Sequence, residues 1–148
     1  MSQFRRGVGI VLLDSRGRVW FGKRPNAGWH MPQGGIDQGE EPRETVMREL
    51  LEEVGTNKAT ILAETEGWHT YEVPERWRPK SWQGRYIGQT QKWFLLRFDG
   101  TDADINTETE IPEFDEWRWA TVDEVLAEAI EFKRALYPAV FDELLSDR

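Results

Sequence analysis

Three glutamates, Glu49, Glu52 and Glu53, stand at i, i+3 and i+4 in a stretch of good helix formers. At about 100° per residue that spacing sets all three on one side of a helix. Like charges so placed repel by roughly 0.2–0.5 kcal/mol per pair, a cost that a bound cation cancels. Their hard oxygen atoms suit Mg²⁺, with Mn²⁺ as a substitute. The solvated outer face of an ordinary surface helix has the same appearance, so the trio alone leaves both readings open. Just upstream runs Pro32-Gln-Gly-Gly-Ile-Asp-Gln-Gly39, a loop whose three glycines permit unusual backbone angles. Such a loop can bring backbone groups close to a phosphate chain, while a carboxylate helix holds the cations that neutralise it. Together they suit hydrolysis of a phosphoanhydride by metal-activated water.

Covalent routes compete poorly. There is no cysteine, which excludes disulfides, thiolate metal sites and a cysteine nucleophile and fits the cytoplasm. Ser2, Ser15, Ser81 and Ser146 lie in no Gly-x-Ser-x-Gly setting. His30 and His69 form no His-Glu-x-x-His motif, and a Walker A sequence is absent. His30 lies near the loop and is a candidate for substrate contact only. With 19 basic against 27 acidic residues, the net charge of −8 repels polyanions as a whole, so a general nucleic-acid groove and DNA are disfavoured. The longest aliphatic run, Ile10 to Leu13, falls far short of the roughly 20 residues of a membrane span, and no apolar signal region opens the chain.

The elements that must position the glutamates follow from pattern. The 148 residues match one domain at roughly 150 residues each, and 8 Trp, 7 Phe and 3 Tyr are too many for a disordered chain. No repeat or linker interrupts the stretch from about Arg5 to Leu145, so a single domain over 1–148 is expected. Gly7–Leu13, the turn Asp14–Gly17 and Val19–Phe21 predict a hairpin. Trp29–Met31, Ala59–Ala63, Trp68–Val73, Gln91–Phe98 and Trp117–Ala120 predict further strands, with Gln91–Phe98 central. Pro42 suits a first helical turn and Gly55 an end, which predicts a helix over Pro42–Val54 with Val46, Met47, Leu50, Leu51 and Val54 opposite the glutamates. Asp99–Glu116 is acidic and turn-rich. Thr121 with Glu124 is a capping box for a helix to about Ile130, and Ala135–Leu145 predicts a last helix whose first turn tolerates Pro138. The mixture predicts an α/β fold, a mixed sheet sandwiched between helices (α/β/α).

Gly34, Glu40 and Arg48-Glu-Leu-Leu-Glu-Glu-Val-Gly55 together resemble the Nudix box, with the spacing and every charged position in place; Thr56 departs, standing where an aliphatic residue is expected. The resemblance implies the Nudix fold and pyrophosphate chemistry. It implies that Glu52 and Glu53 are metal ligands, that Glu49 is a ligand or the base that activates water, that Glu53 is essential to turnover, and that Glu40 pairs with Arg48 to hold the loop on the helix. Gly55 completes the motif, and Gln33, Gly34 and Gly35 form the loop that meets phosphate.

The resemblance extends through Trp29–Ile36, Gly88–Leu95, Pro112–Trp119 and Glu131–Arg134. These segments are similar to the branch holding bacterial RNA pyrophosphohydrolases and asymmetric diadenosine tetraphosphate hydrolases. That implies Glu113 as a further metal ligand or an alternative base, and Arg5 as a phosphate contact. It implies that Arg24, Phe132 and Lys133 line the place of a nucleobase between a guanidinium and a ring. Lys92 is the favoured substrate contact in the basic and aromatic segment Arg76–Lys92, whose aromatics could equally pack inward as a hairpin. The implied reactions are release of pyrophosphate from 5′-triphosphorylated RNA, leaving a 5′-monophosphate, and cleavage of diadenosine tetraphosphate to ATP and AMP. Two alternatives stand beside them: hydrolysis of free nucleoside triphosphates, and a Nudix module that senses nucleotides without catalysis.

Overall fold

Strict alternation along the strands sorts the apolar side chains into two layers. On β1 (Phe4–Leu13), Val8, Ile10 and Leu12 face one layer and Val11 the other. On β7 (Gly88–Phe98), Phe94, Leu96 and Phe98 join the first layer and Trp93 and Leu95 the second. A strand buried on both faces must sit inside a sandwich. The structure, a computed structural model, describes residues 3–109 and 112–146. Residues 110 and 111 of the acidic stretch, Ser2, and both ends of the expected 1–148 domain lie outside the described residues.

β1 and β7 form the centre of the sheet and run parallel, from Phe4 opposite Gly88 to Leu13 opposite Arg97. All other strand pairs are antiparallel. β7 carries β5 (Ala59–Glu64) and β6 (His69–Glu72) on its far edge. β1 turns into β2 (Val19–Arg24) as expected, the turn closed by Asp14, whose Oδ1 accepts from the backbone of Arg16 at 2.9 Å and Arg18 at 2.8 Å. β2 in turn pairs with β3 (Gly28–His30) and β8 (Glu116–Ala120). One strand falls where a loop was expected: β4 (Gln33–Gly35) pairs with Gly7–Gly9 of β1. Its glycines give no hydrophobic period to read.

Helix α1 (Pro42–Val54) covers the first layer with Val46, Leu50 and Val54, each fully buried and contributing about 1.5–3 kcal/mol. It starts at Pro42 and stops at Gly55, whose φ of 84° favours glycine and whose missing Cβ leaves room for the backbone of Asn106. The buried stripe runs through Thr45, Val46, Glu49, Leu50, Glu53 and Val54. It is therefore turned toward the glutamates relative to expectation, which leaves Leu51 49% exposed and carries two of the three glutamates inward. Thr56 is buried and its hydroxyl accepts from the Lys58 amide at 3.1 Å, so the polar departure from the motif is satisfied locally.

The second layer is covered by α2 (Val122–Glu128) and α3 (Leu136–Leu145), the latter through Leu136, Tyr137, Val140, Phe141 and Leu144. Thr121 and Glu124 make the expected capping box, at 3.1 and 2.8 Å. α2 ends before Ile130, because the Ile130 amide donates instead to the carbonyl of Trp29 at 3.1 Å. Helices on both faces of a mixed sheet give the expected α/β/α sandwich. Among the described residues no helix is long and apolar enough to cross a membrane.

Candidate active site

The site begins where α1 crosses β4. A Cβ on Gly34 would collide with the carboxyl group of Glu49, and one on Gly35 with the guanidinium of Arg5. The two glycines therefore let an acid from the helix and a base from β1 lie flat on the strand. Arg48 ties the loop to α1. Its Nε and Nη2 donate to the two oxygens of Glu40 at 2.8 and 2.9 Å, Nη2 also to the Gly35 carbonyl at 2.9 Å, and Nη1 to Glu49 at 2.9 Å and Glu52 at 3.2 Å. The Thr45 hydroxyl donates to Glu40 at 2.7 Å and Asp37 stands 3.4 Å from Arg48, two partners that the motif does not announce. The hydrogen bonds that Arg48 donates hold the accepting Glu40 carboxyl down to about 2, and the same bonds keep Arg48 charged.

Glu49 and Glu53 are 8% and 3% exposed. Burial, reinforced by the negative charges of Glu52 and Glu113, pushes the Glu49 carboxyl up to about 7 despite Arg48. Burial likewise holds Glu53 well above the usual range, with Glu113 and Glu49 adding to it and Arg24 opposing. One Glu53 oxygen accepts from the Gln33 amide at 3.3 Å; the other has no hydrogen-bond partner, with Arg24 at 3.7 Å. Arg24 also stands 3.0 Å from Glu113, and its Nε and Nη2 likewise lack aligned partners. The arrangement leaves one buried Glu53 oxygen and a guanidinium underused, which an added ligand can engage.

Glu49, Arg24 and Glu113 open into a cavity of about 490 Å³ that also takes in Arg5, Gln33, Gly34, Gly35, Phe132 and Lys133, while buried Glu53 stands behind Arg24, off the cavity wall. Phe132 stacks on Tyr71 with ring centres 6.4 Å apart, and the Lys133 ammonium lies 6.0 Å from both rings. Burial, aided by Arg24, pushes Lys133 down to about 7, against the pull of Glu53 and Glu113. His30 donates from Nε2 to the Ala27 carbonyl at 2.6 Å, and burial beside Lys133 and Arg24 holds it neutral, down to about 2. Its Nδ1 is therefore a bare acceptor, buried without a partner.

Full-length comparison gives this geometry a lineage. The NUDIX domain description matches residues 3–140. The chain belongs to the NUDIX family. Among similar Nudix proteins, the RNA pyrophosphohydrolase of Rhodospirillum rubrum is 51% identical, covering 95% of this chain and 87% of that protein. That of Rickettsia bellii is 50% identical, covering 97% and 91%. Among solved structures, the E. coli dihydroneopterin triphosphate pyrophosphohydrolase superposes with a TM-score of 0.70 at 17% identity, covering 98% of this chain and 99% of that one. The C. elegans Ap4A hydrolase does so with a TM-score of 0.67 at 17% identity, covering 96% and 99%. At that identity the likeness is one of fold.

The Nudix fold thus brings together most residues singled out in the sequence; Glu53 lies buried just off the cavity wall, and Glu52 and Lys92 are turned away from it. Glu52 does not join Glu49 and Glu53: its side chain is 58% exposed on the outer flank of α1, turned to Arg48. Among the described residues, no three His, Asp or Glu side chains converge tightly enough to enclose an ion. Lys92 does not reach the cavity, because alternation along β7 turns it away from Gln89 and Gln91, and it pairs with Glu64 at 2.7 Å. The sequence reading also missed a buried amide network. Gln33 Oε1 accepts from Gln89 at 3.0 Å and Gln91 at 2.9 Å, and Gln89 donates to the Tyr71 hydroxyl at 2.8 Å. Glutamines at alternate positions, Gln89 and Gln91, at the start of the central strand are the signal that could have found it. The network fixes β4 from beneath, and with it the amide that holds Glu53.

Proposed function

We propose that this Nudix hydrolase is a Mg²⁺-dependent pyrophosphohydrolase that converts 5′-triphosphorylated RNA to 5′-monophosphorylated RNA and pyrophosphate, acting in the cytoplasm as a single domain over residues 1–148. One observation carries the reading. The buried Glu49 carboxylate on α1, with Glu53 beside it off the wall, meets a cavity whose other walls carry Glu113, Arg5, Arg24 and Lys133, in a chain about half identical to RNA pyrophosphohydrolases over nearly its full length. Acidic groups on one side and cationic groups on the other suit a metal-complexed phosphate chain.

The donor set fits a divalent cation. Glu49, Glu53 and Glu113 offer hard oxygens, one Glu53 oxygen lacks a hydrogen-bond partner, and the burial that raises Glu49 and Glu53, with the neighbouring negative charge added to it, is what a cation offsets. Glu49, Glu53 and Glu113 would hold the metal once their carboxylates draw together, Glu113 leaving its pairing with Arg24, and Glu52 would reach it only by turning from Arg48. When bound, such a cation neutralises the phosphate chain and makes a water acidic enough to attack phosphorus. Glu49 or Glu113 accepts the proton as the new P–O bond forms, and the anhydride bond breaks toward the departing pyrophosphate. Arg5, Gln33 and the backbone of Gly34 and Gly35 orient the phosphates. Arg24, Phe132 and Lys133 hold a base. Glu40, Arg48 and Gly55 keep loop and helix in register.

A second reading, cleavage of diadenosine tetraphosphate to ATP and AMP, is favoured by the presence of Trp77 and Trp82 on the cavity wall in addition to Phe132 and Tyr71. Two aromatic regions suit a substrate with two bases. A side-by-side Mg²⁺ assay on triphosphorylated RNA and diadenosine tetraphosphate, with products identified and kcat/KM compared, tests both. Pyrophosphate release from RNA at the higher kcat/KM is the expected result; strong preference for the dinucleotide would replace it with the second reading, and no turnover of either would sink both.

A further inference from the structure

Beside the active-site cavity lies a second groove, of about 610 Å³, lined by Gln3, Phe4, Arg5, Arg6, Ile36, Arg85 and Tyr86. Apart from Arg5, its residues have no role in the site described above, and it is built from sequence-distant pieces. The Ile87 amide donates to the Gln3 carbonyl at 2.8 Å and the Ile36 amide to the Arg6 carbonyl at 3.1 Å, which lays residues 85–87 and Ile36 beside the start of β1. Three of its seven lining residues are arginines and none is acidic, in a chain of net charge −8. Arg6 and Arg85 are both exposed. Each guanidinium lies over an aromatic ring, Arg6 at 4.8 Å from Trp68 and Arg85 at 5.3 Å from Tyr86. Trp68 is itself 39% exposed, a large apolar surface left in water.

Cations interleaved with ring faces are what a single nucleic-acid strand requires: charge for the phosphodiesters and flat surfaces for unpaired bases. The two cavities share Arg5, whose guanidinium lies on Gly35. A chain whose 5′ phosphates sit at the glycine strand therefore has a basic exit at the Arg5 edge. We infer that the groove of Arg6, Arg85 and Tyr86, extended past its rim by the Trp68 ring under Arg6, is an RNA exit track, which binds the single strand downstream of the 5′ nucleotides and favours RNA over small dinucleotide polyphosphates. This rests on the RNA reading given above. It also reconciles an acidic protein with a polyanionic substrate, because the attraction is confined to one short path.

The test compares the wild type with the double variant Arg6→Gln, Arg85→Gln on a triphosphorylated RNA dinucleotide and octanucleotide. The variant is expected to keep its kcat/KM on the dinucleotide within about twofold and to lose roughly tenfold on the octanucleotide, from two lost phosphate contacts. The salt dependence of octanucleotide binding should flatten by about 0.7 in log–log slope per contact removed. Equal loss on both lengths, or no loss on the longer, would overturn the track. Binding of a 5′-hydroxyl octanucleotide, followed by fluorescence anisotropy, needs no turnover. If the wild type hydrolyses neither RNA, the activity reading fails, while weaker binding by the variant still supports the track and unchanged binding overturns it.

Discussion

Glu49→Gln removes one charge from a site where Glu49 is 8% exposed and its carboxyl is pushed up to about 7 from 4.5. In the unfolded chain the group loses its proton from about 4.5 upward; in the native protein it keeps it to about 7. Native stability therefore falls as pH rises through that window and levels above it. At about 1.4 kcal/mol per pH unit the full penalty is about 3 kcal/mol, nearly complete at about pH 8 and only about 1 kcal/mol at about pH 5. Glutamine keeps the oxygen that accepts from Arg48 Nη1 and carries no charge to desolvate. The variant should therefore exceed the wild type in chelator by about 2 kcal/mol more at pH 8 than at pH 5, roughly 4–8 °C in Tm for a chain of this size. Mg²⁺ should return much of the difference to the wild type and little to the variant, whose turnover is lost. Urea or thermal unfolding at both pH values measures it. A gain independent of pH, or none at either pH, would refute the claim that Glu49 is a desolvated charge awaiting a cation.

Glu53→Gln should lower kcat by about a thousandfold or more with an unchanged circular dichroism spectrum; wild-type-like turnover would remove Glu53 from the site. Gly34→Ala places a methyl group where the Glu49 carboxyl lies and should cost about a hundredfold in kcat/KM, since displacing a reacting group by about 1 Å has that effect; unchanged activity would mean that Glu49 need not rest on β4. Glu40→Gln breaks a two-pronged ion pair and should cost about 1.5–3 kcal/mol at neutral pH. Because the Glu40 carboxyl is held down to about 2, that contribution is complete above its unfolded value of 4.5 and lost as pH falls through about 2, so wild type and variant should converge in acid. Phe132→Ala should raise KM by about tenfold for base-bearing substrates and leave kcat nearly unchanged; a drop in kcat alone would argue against base stacking.

How much of this was legible depended on whether position carried a side-chain signal. α1 could be read to the residue because Pro42 and Gly55 punctuate it and apolar residues recur between them. β4 could not, since Gly34 and Gly35 have no side chains to alternate, although their smallness is what shapes the site. The rotation of the buried stripe, which separates Glu52 from Glu49 and Glu53, depends on how α1 seats against β1 and β4, a tertiary fact. Lys92 was misplaced for a different reason: a motif segment records which residues accompany one another, and only strand parity says which of them face the same way.

The long parallel pairing of β1 with β7 also orders events in time. Arg5 and Gln89, side by side in the sheet, are 84 residues apart in sequence. Closing so long a loop costs entropy before any pairing repays it, so the middle of the sheet should zip late. α1, whose contacts within itself are local, can form well before. On the ribosome the glutamates would then sit on a finished helix while β1, already synthesised, still waits for β7, and the nascent chain would carry no working hydrolytic site until β7 and, after it, Glu113, Phe132 and Lys133 are released. Pulse-labelled hydrogen exchange during refolding should find α1 amides protected before those of β1 and β7; simultaneous protection would contradict this order.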